Sequence, residues 1–453
     1  MNGNKEILGQ APVGRLLFKL ALPTVVAQII NMLYNIVDRI FIGHIPDVGD
    51  LALTGVGVCM PLIMLVSAFA ALVSSGGAPR ASIFMGQREQ EKAEKTLGGC
   101  FGLQIVVSLI LTAVLLIWNR PLLLAFGASE NTIEYASDYM SVYALGTIFV
   151  QLTLGMNAFI TAQGFTRIAM LSVVIGAAAN IAFDALFINV FEMGVKGAAL
   201  ATVISQALSA VWVVSFLFGK RTMLRIKREN LIASPKIILP CLALGLASFM
   251  MQASESVVSV CFNSSLLEYG GDIAVGAMTI LTSVMQFAML PMNGFAQGAQ
   301  PILSYNYGAK NTERVKMTFR LLLVTCLIYS VTLWSVIMLF PSLFPSVFTP
   351  DADLIAYTSG VIRTFFGGFI FFGAQIACQM TFVSLGEAAC SVTVAVVRKF
   401  ILILPLIYIV PQLMADKTLG VYTAEPIADF IAVTFTVILF AFRFSRAIRK
   451  IEK

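Results

Sequence analysis

The amino-acid sequence predicts an all-α polytopic membrane protein, with twelve transmembrane helices in two six-helix lobes related by a pseudo-twofold axis along the membrane normal. Three observations predict it. Of the 453 residues, 58% are hydrophobic and 12% charged, against a charged share of about 25% in soluble domains. The mean hydropathy is +0.88, so the surrounding solvent must be largely lipid. Apolar runs long enough to cross a bilayer, ~20 residues at ~1.5 Å each, recur twelve times. Finally, the second half of the chain repeats the first after a shift of 222 residues.

The runs fall roughly at 15–43, 52–79, 96–118, 132–160, 168–191, 195–218, 237–267, 274–303, 317–340, 354–385, 390–413 and 426–445. Residues 1–13 hold no compact apolar stretch followed by a small-residue cleavage site, so the first run is expected to be an uncleaved anchor. Runs two and eight continue into their loops through AALVSSGGAPRASIFMGQ (70–87) and PMNGFAQGAQPILSYNYGA (291–309). Glycines with a proline in a membrane helix permit either a hinge or close helix contact, and the sequence leaves both open.

The connections set the orientation. MGQREQEKAEK (85–95), GFTRIAM (164–170), GKRTMLRIKREN (219–230), YGAKNTERVK (307–316) and RFSRAIRKIEK (443–453) are basic. HIPDVGD (44–50), GASEN (127–131), FEMG (191–194), LLEYGGD (266–272), TPDAD (349–353) and ADKTLG (415–420) are acidic or nearly uncharged. Lys and Arg are retained on the inner side, so the basic set and both termini are predicted cytoplasmic, in the cell's inner (plasma) membrane. The net charge of +6 is thereby a topology signal, with anionic lipid as its neighbour. Nucleic acid is not expected as a partner.

The longest basic connection, 219–236, separates an N-terminal lobe (1–218, spans one to six) from a C-terminal lobe (237–453, spans seven to twelve). The shift of 222 pairs Asp50 with Asp272, Gly76 with Gly298, Pro79 with Pro301, Ser82 with Ser304, Gly86 with Gly308 and Glu91 with Glu313. Farther on it pairs Gly164 with Gly386. These are not interchangeable aliphatics, and six spans per half give the halves one orientation. Repeats facing each other across a midplane cavity are transporter architecture.

Polar residues inside the spans are the candidates for function. Span five, IAMLSVVIGAAANIAFDALFINVF, carries Asn180 and Asp184 four apart on one helix face. An acid at membrane depth costs roughly 2.5–3.5 kcal/mol, so it points into protein or water; snorkelling to the headgroups is the plainer alternative. Span one carries Asp38, about five residues or ~8 Å short of its outer end, with Tyr34 one turn earlier. Span six brings Thr202 to a similar depth, with Ala198 one turn before it. If these meet, two carboxylates, an amide and a hydroxyl make an oxygen-rich pocket for a hard monovalent cation such as Na⁺ or a shared proton. Two close carboxylates cannot both stay ionised cheaply, so the pair should hold a proton unless a cation enters. Tyr139 and Asn157 on span four are expected to support the cluster.

In the second half Glu255 sits mid-span, too deep to snorkel. Its partner position under the shift is Leu33, so the halves are not symmetric in charge. It reads as a second proton or substrate-charge site, or else as a structural, hydrogen-bonded acid. Met278, Met285, Met289 and Met292 make one stripe on span eight beside Gln286 and Phe287. Such a stripe suits varied apolar ligands, or packs in the core. Gln375 and Gln379 on span ten could add neutral contacts to a substrate cavity. Arg and Lys are nearly absent from the span interiors by this reading.

Enzymatic signatures are missing. The single histidine, His44, lies at a span end, which argues against His-pair metal sites and His-based triads. No phosphate-loop GxxxxGK[ST] occurs, and no Asp-rich loop suits Mg-diphosphate. The seven cysteines have no metal-ligand spacing and read as small packing residues. No enzyme, cofactor or structural metal is expected.

On ALP…YNIVDRIFIGH (21–44), AQGFTR (162–167), the two Gly/Pro ends (76–87 and 298–309) and AANIAFDALFI followed by GVKGAALATVISQ (178–206), the chain resembles the multidrug and toxic compound extrusion family of cation-coupled antiporters. The resemblance covers essentially the whole length. It implies that Asp38, Asn180, Asp184 and Thr202 bind the coupling ion, with Ala198 offering its carbonyl. Other branches of the family use C-lobe acids, which Glu255 resembles, but position 375 holds Gln here. The expectation is a monomeric antiporter in the lipid bilayer that exports amphipathic, often cationic organic compounds in exchange for H⁺ or Na⁺. A flippase of lipid-linked saccharides on a related fold is the alternative, and it should show a cationic cavity.

Overall fold

The computed structural model describes residues 3–46, 48–232 and 234–452. Residues 1, 2, 47, 233 and 453, which belong to the termini and to two of the connections assigned above, lie outside the described residues. Among the described residues every regular element is helical. Ten helices are long and apolar enough to cross a membrane, and two details raise these to twelve spans. The helix Pro235–Gly308 is two spans, seven and eight, meeting at Gly271 with φ 67° and ψ −164°, a conformation that needs glycine. Ile133–Leu145 and Thr147–Ala162 are one span, the fourth, bent by 57° at Gly146. The others are Val13–Gly43, Gly49–Gly86, Gln90–Ile117, Thr166–Val190, Gly194–Phe218, Thr312–Leu339, Ala352–Ser384, Ala388–Leu413 and Lys417–Lys450.

The 222-residue repeat is visible in backbone geometry. Arg88 and Lys310 have φ of 64° and 58°, and Gly164 and Gly386 have 83° and 76°; each pair is 222 apart. Each closes its helix with the same bond, an amide reaching the carbonyl five residues back. Glu89 reaches Phe84 at 2.9 Å, Asn311 reaches Asn306 at 2.9 Å, Phe165 reaches Ile160 at 3.2 Å and Glu387 reaches Phe382 at 2.9 Å. This is the left-handed helix stop. At 88 and 310 the repeat places Arg and Lys where glycine is the easier residue, so its matches at those positions are in backbone shape and not in residue type.

The lobes meet through the same residues. A Cβ on Gly86 would stand 2.0 Å from the Tyr305 carbonyl oxygen, and one on Gly308 would stand 2.1 Å from that of Ile83. Residues 83 and 305 are themselves 222 apart, so the contact is self-complementary, as a twofold axis requires. Gly76 presses as closely on Cys241 and Gly245 on Leu72, and Gly298 lies against the Ala21 backbone. The Thr24 hydroxyl donates to the Gly294 carbonyl at 2.6 Å, Phe18 packs edge-on against Phe295, and Phe69 against Phe249. Leu16, Leu17 and Leu20, at the start of span one, belong to the hydrophobic core of spans seven to twelve. All of these contacts lie in the half of the spans nearer the chain termini. Of the two readings left open for the Gly/Pro segments, close contact is what the structure realises.

The far halves present a different surface. Asn31 on span one, Gln252, Glu255 and Ser259 on span seven, and Thr279 and Gln286 on span eight are all exposed. Lipid does not tolerate such a set, so these faces line an opening between the lobes on the side away from the termini. The connection after span six is strapped to the first lobe. The Gln163 side-chain oxygen accepts from the amides of Met223 (2.8 Å) and Leu224 (2.9 Å), and Lys227 pairs with Glu94 at 2.6 Å.

Because the glycine contacts are backbone to backbone, a side chain there forces the lobes apart. Gly86→Val and Gly308→Val are each expected to cost about 1–3 kcal/mol by overpacking, read as a lower melting temperature of the purified protein. Each should also let a thiol reagent reach a cysteine placed at the buried Ser82→Cys. Unchanged stability together with unchanged protection at 82 would contradict the packing described.

Candidate functional site

Two clusters of charged residues lie within the spans, one per lobe, and they are built on opposite principles. In the first lobe Asp38 comes from span one, Asn180 and Asp184 from span five. Asp184 is 0% exposed, Asn180 1% and Asp38 7%, which rules out snorkelling. The Asp38 and Asp184 carboxyls lie within hydrogen-bonding reach of each other. Five polar atoms of the trio are buried without a hydrogen-bond partner: Oδ1 of Asp38, both carboxyl oxygens of Asp184, and Oδ1 and Nδ2 of Asn180. The regular helix of span five ends at Asp184, and residues Ala185–Val190 continue as a π-helical turn. Such turns re-aim side chains at functional positions.

Tyr139 on span four lies within reach of Thr202 on span six and feels the charge of Asp38. Tyr34, one turn from Asp38, lies within reach of Gln206 on span six. Ala198 is fully buried one turn before Thr202. The structure thus brings together Asp38, Asn180, Asp184, Tyr34, Tyr139 and Thr202 and adds Gln206, whose signal in the sequence is its place one turn beyond Thr202. Asn157 does not join them. Its amide donates to the Ala169 carbonyl at 3.2 Å, and Ala169 precedes Asp184 by fifteen residues of span five, ~22 Å along the axis.

In the second-lobe cluster every charge has a partner. The Arg398 guanidinium donates to Asp429 through Nε at 3.0 Å and Nη2 at 2.8 Å, and reaches Glu425 at 3.3 Å. Its plane lies 4.7 Å over the Phe372 ring. Lys399 Nζ donates to Glu255 Oε2 at 2.6 Å. Arg398 and Lys399 sit in a π-helical segment, Val397–Ile403, so both lobes loosen a helix beside their charges. The reading that Lys and Arg are nearly absent from span interiors is corrected here, since span eleven buries both. Glu255 is neither free nor protonated by necessity, because an ammonium neutralises it.

The remaining expected contacts divide. Met278 and Met292 are buried in the core of the second lobe, with Met285 and Met289 packed at its edge, so that stripe is mainly packing. Gln286 faces the opening. Gln375 is buried with its oxygen unpartnered, and Gln379 donates to the Ser391 hydroxyl at 2.8 Å; both serve the lobe interior. Among the described residues no group of three or more His, Cys, Asp or Glu could hold a metal ion.

Two lobes closed at one face, open at the other, with a buried acid pair beside the opening, define a membrane transporter. The chain belongs to the MatE family, whose model matches residues 23–186 and again 247–409. It is similar to the multidrug export protein MepA of Staphylococcus haemolyticus, 21% identical over 426 residues that cover 94% of this chain and 93% of that one. MepA of Staphylococcus aureus is 22% identical over 354 residues, 78% of each chain. Among solved structures, MATE in the bent conformation superposes with a TM-score of 0.92 at 22% identity over 99% of both chains. The outward-facing conformation of a multidrug resistance MATE family transporter gives 0.91 at 22% identity, again over 99% of both chains. A MOP superfamily transporter from Pyrococcus furiosus, described by the reverse polarity of its binding pocket, gives 0.90 at 23% identity and the same coverage.

The two clusters should respond oppositely to the loss of one acid. Asp184→Asn gives a pair that has too many acceptors an amide that can donate to Asp38, and should raise the melting temperature in Na⁺-free buffer at neutral pH. Asp429→Asn takes from a buried guanidinium the acid that accepts two of its bonds, leaving Glu425 alone to answer it, and should cost about 3 kcal/mol. Thermal unfolding of the two variants checks the sign in each case, and a loss of stability in both would remove the contrast.

Proposed function

We propose that this protein is a secondary antiporter of the inner membrane that exports amphipathic, often cationic organic compounds in exchange for H⁺ or Na⁺. One observation carries the reading: Asp38, Asn180 and Asp184 converge from two helices with buried oxygen atoms that no described residue satisfies. A hydrogen-bond donor or a small cation is the missing counterpart, because two facing carboxyls are both acceptors. Basic connections cluster at the closed, terminus-bearing face, which makes that face cytoplasmic by the Lys/Arg rule. The opening then faces outward, where an ion would enter. A polar ladder on span one (Asn31, Asn35, Asp38), one turn between rungs, leads from the opening to the pair. The names of the staphylococcal relatives agree with drug export as the activity.

Coupling follows from span one being shared. Its first turns lie in the core of the second lobe, whereas Asp38 lies with Asp184 in the first. Neutralising the pair removes repulsion between spans one and five, and any shift of span one is felt at Thr24 and Gly294 across the lobe interface. Ion and cargo then bias the same two states, which is what antiport requires. We propose that 1–218 and 237–453 rock as units about this contact. The flippase reading loses support in the second lobe, where two cations face three acids and leave no cationic wall for a diphosphate.

Transport of an organic cation in proteoliposomes, under separately imposed pH and Na⁺ gradients, tests the proposal. Asp38→Asn and Asp184→Asn should each lose gradient-driven export by tenfold or more, an interaction loss of about 1.4 kcal/mol or greater, and the gradient that drives the wild type names the ion. Undiminished export by both variants would overturn the assignment.

A further inference from the structure

The pair Glu255–Lys399 has no counterpart in the first lobe, where the positions 222 residues earlier are Leu33 and Ala177. Its two members are unequally placed. The Glu255 side chain is 56% exposed and the Lys399 side chain 6%, so the acid fronts the opening and the amine reaches it from behind. Glu255 lies more than ten residues from either end of its span, with Gln252 and Ser259 exposed on the same face, so this exposure is to the opening and not to lipid. Beneath the pair, Arg398 is bound to Asp429 and Glu425, so those two acids are engaged by the guanidinium and Lys399 pairs with Glu255. The wall of the opening therefore displays one carboxylate that is already occupied by a tethered ammonium.

We propose that Lys399 is a specificity-determining residue: its ammonium competes with cationic cargo for Glu255, so that the second-lobe wall is charge-balanced and does not trap monocations. A cargo cation gains from Glu255 only what remains after Lys399 has taken its share, and an anionic group is likewise denied Lys399. Such a wall takes amphipathic cargo by its apolar bulk and discriminates little by sign. Either member alone would set a strong preference, Glu255 for cations and Lys399 for anions. The inference rests on the exporter reading only in taking the opening as the cargo path.

Two isosteric probes of opposite charge read this directly, tetraphenylphosphonium and tetraphenylborate, each titrated into purified full-length protein in detergent without any ion gradient. The ratio of their dissociation constants is the observable, so that partial misfolding, which lowers the active fraction for both, cancels. Lys399→Met should shift the ratio toward the cation by about tenfold, the equivalent of 1.4 kcal/mol. Glu255→Gln should shift it about tenfold toward the anion. Lys399→Arg and the double variant Glu255→Gln with Lys399→Met should both keep the wild-type ratio. If Lys399→Met does not fold, the Glu255→Gln arm still decides, because it alone predicts new anion affinity. A ratio unmoved in the single variants, or moved the same way in both, overturns the proposal and leaves the pair a structural tie. Failure of the exporter reading shows elsewhere, as absent gradient-driven transport with these ratios intact.

Discussion

A carboxylate at membrane depth must find a counterpart, and the organisation of this chain follows from how each lobe meets that demand. The second lobe meets it internally, with two buried cations distributed over three acids on spans seven, eleven and twelve. The first lobe does not, and its facing acids, Asp38 and Asp184, are left with acceptors only. Buried polar groups without partners cost roughly 1–3 kcal/mol each and more when charged. Two facing acids are the sharpest case, since neither can donate to the other while both are ionised, and this is the observation on which the proposed ion site rests.

The scaffold also ties the two lobes together through one helix. Span one is held at its beginning by Leu16, Leu17 and Leu20 in the core of the second lobe, and near Pro23 by the bond from Thr24 to Gly294. Farther along it delivers Asp38 to the first lobe. From Leu20 to Asp38 is eighteen residues, ~27 Å of helix, so small changes of tilt at one end are displacements at the other. The glycine contacts of spans two and eight give the lobes a close, self-complementary face. Packed backbone contacts of this kind have few intermediate arrangements, which favours discrete states over gradual deformation.

Much of this was legible in the sequence, and what was not has identifiable causes. The spans, the shift of 222 and the similar depth of Asp38, Asn180 and Asp184 follow from hydropathy, residue identity and helix period, all of which are local properties, whereas that the three meet is seen only in the coordinates. Gly86 and Gly308 were visible as a matched pair, though only coordinates show them pressed on Ile83 and Tyr305. Arg398 and Lys399 were passed over because they interrupt a strongly apolar run, VAVVRKFILILPLIYIV. The usable signal lay in the next span, where Glu425 and Asp429 stand four apart on one face and can answer a guanidinium. Asn157 was misplaced for a simpler reason: a polar residue on the right helix is no guide unless its distance from the span end is counted. The methionine stripe shows the limit of residue type, since helical spacing alone does not tell a core face from a cavity face.

The most direct measurement of the central claim counts ions. Radioactive Na⁺ binding and, separately, proton release in weakly buffered solution would be recorded per mole of purified protein, with Glu255, Lys399 and the rest of the second lobe intact. The wild type is expected to bind or release one ion, and the double variant Asp38→Asn with Asp184→Asn none. A count in the double variant equal to that of the wild type would contradict it.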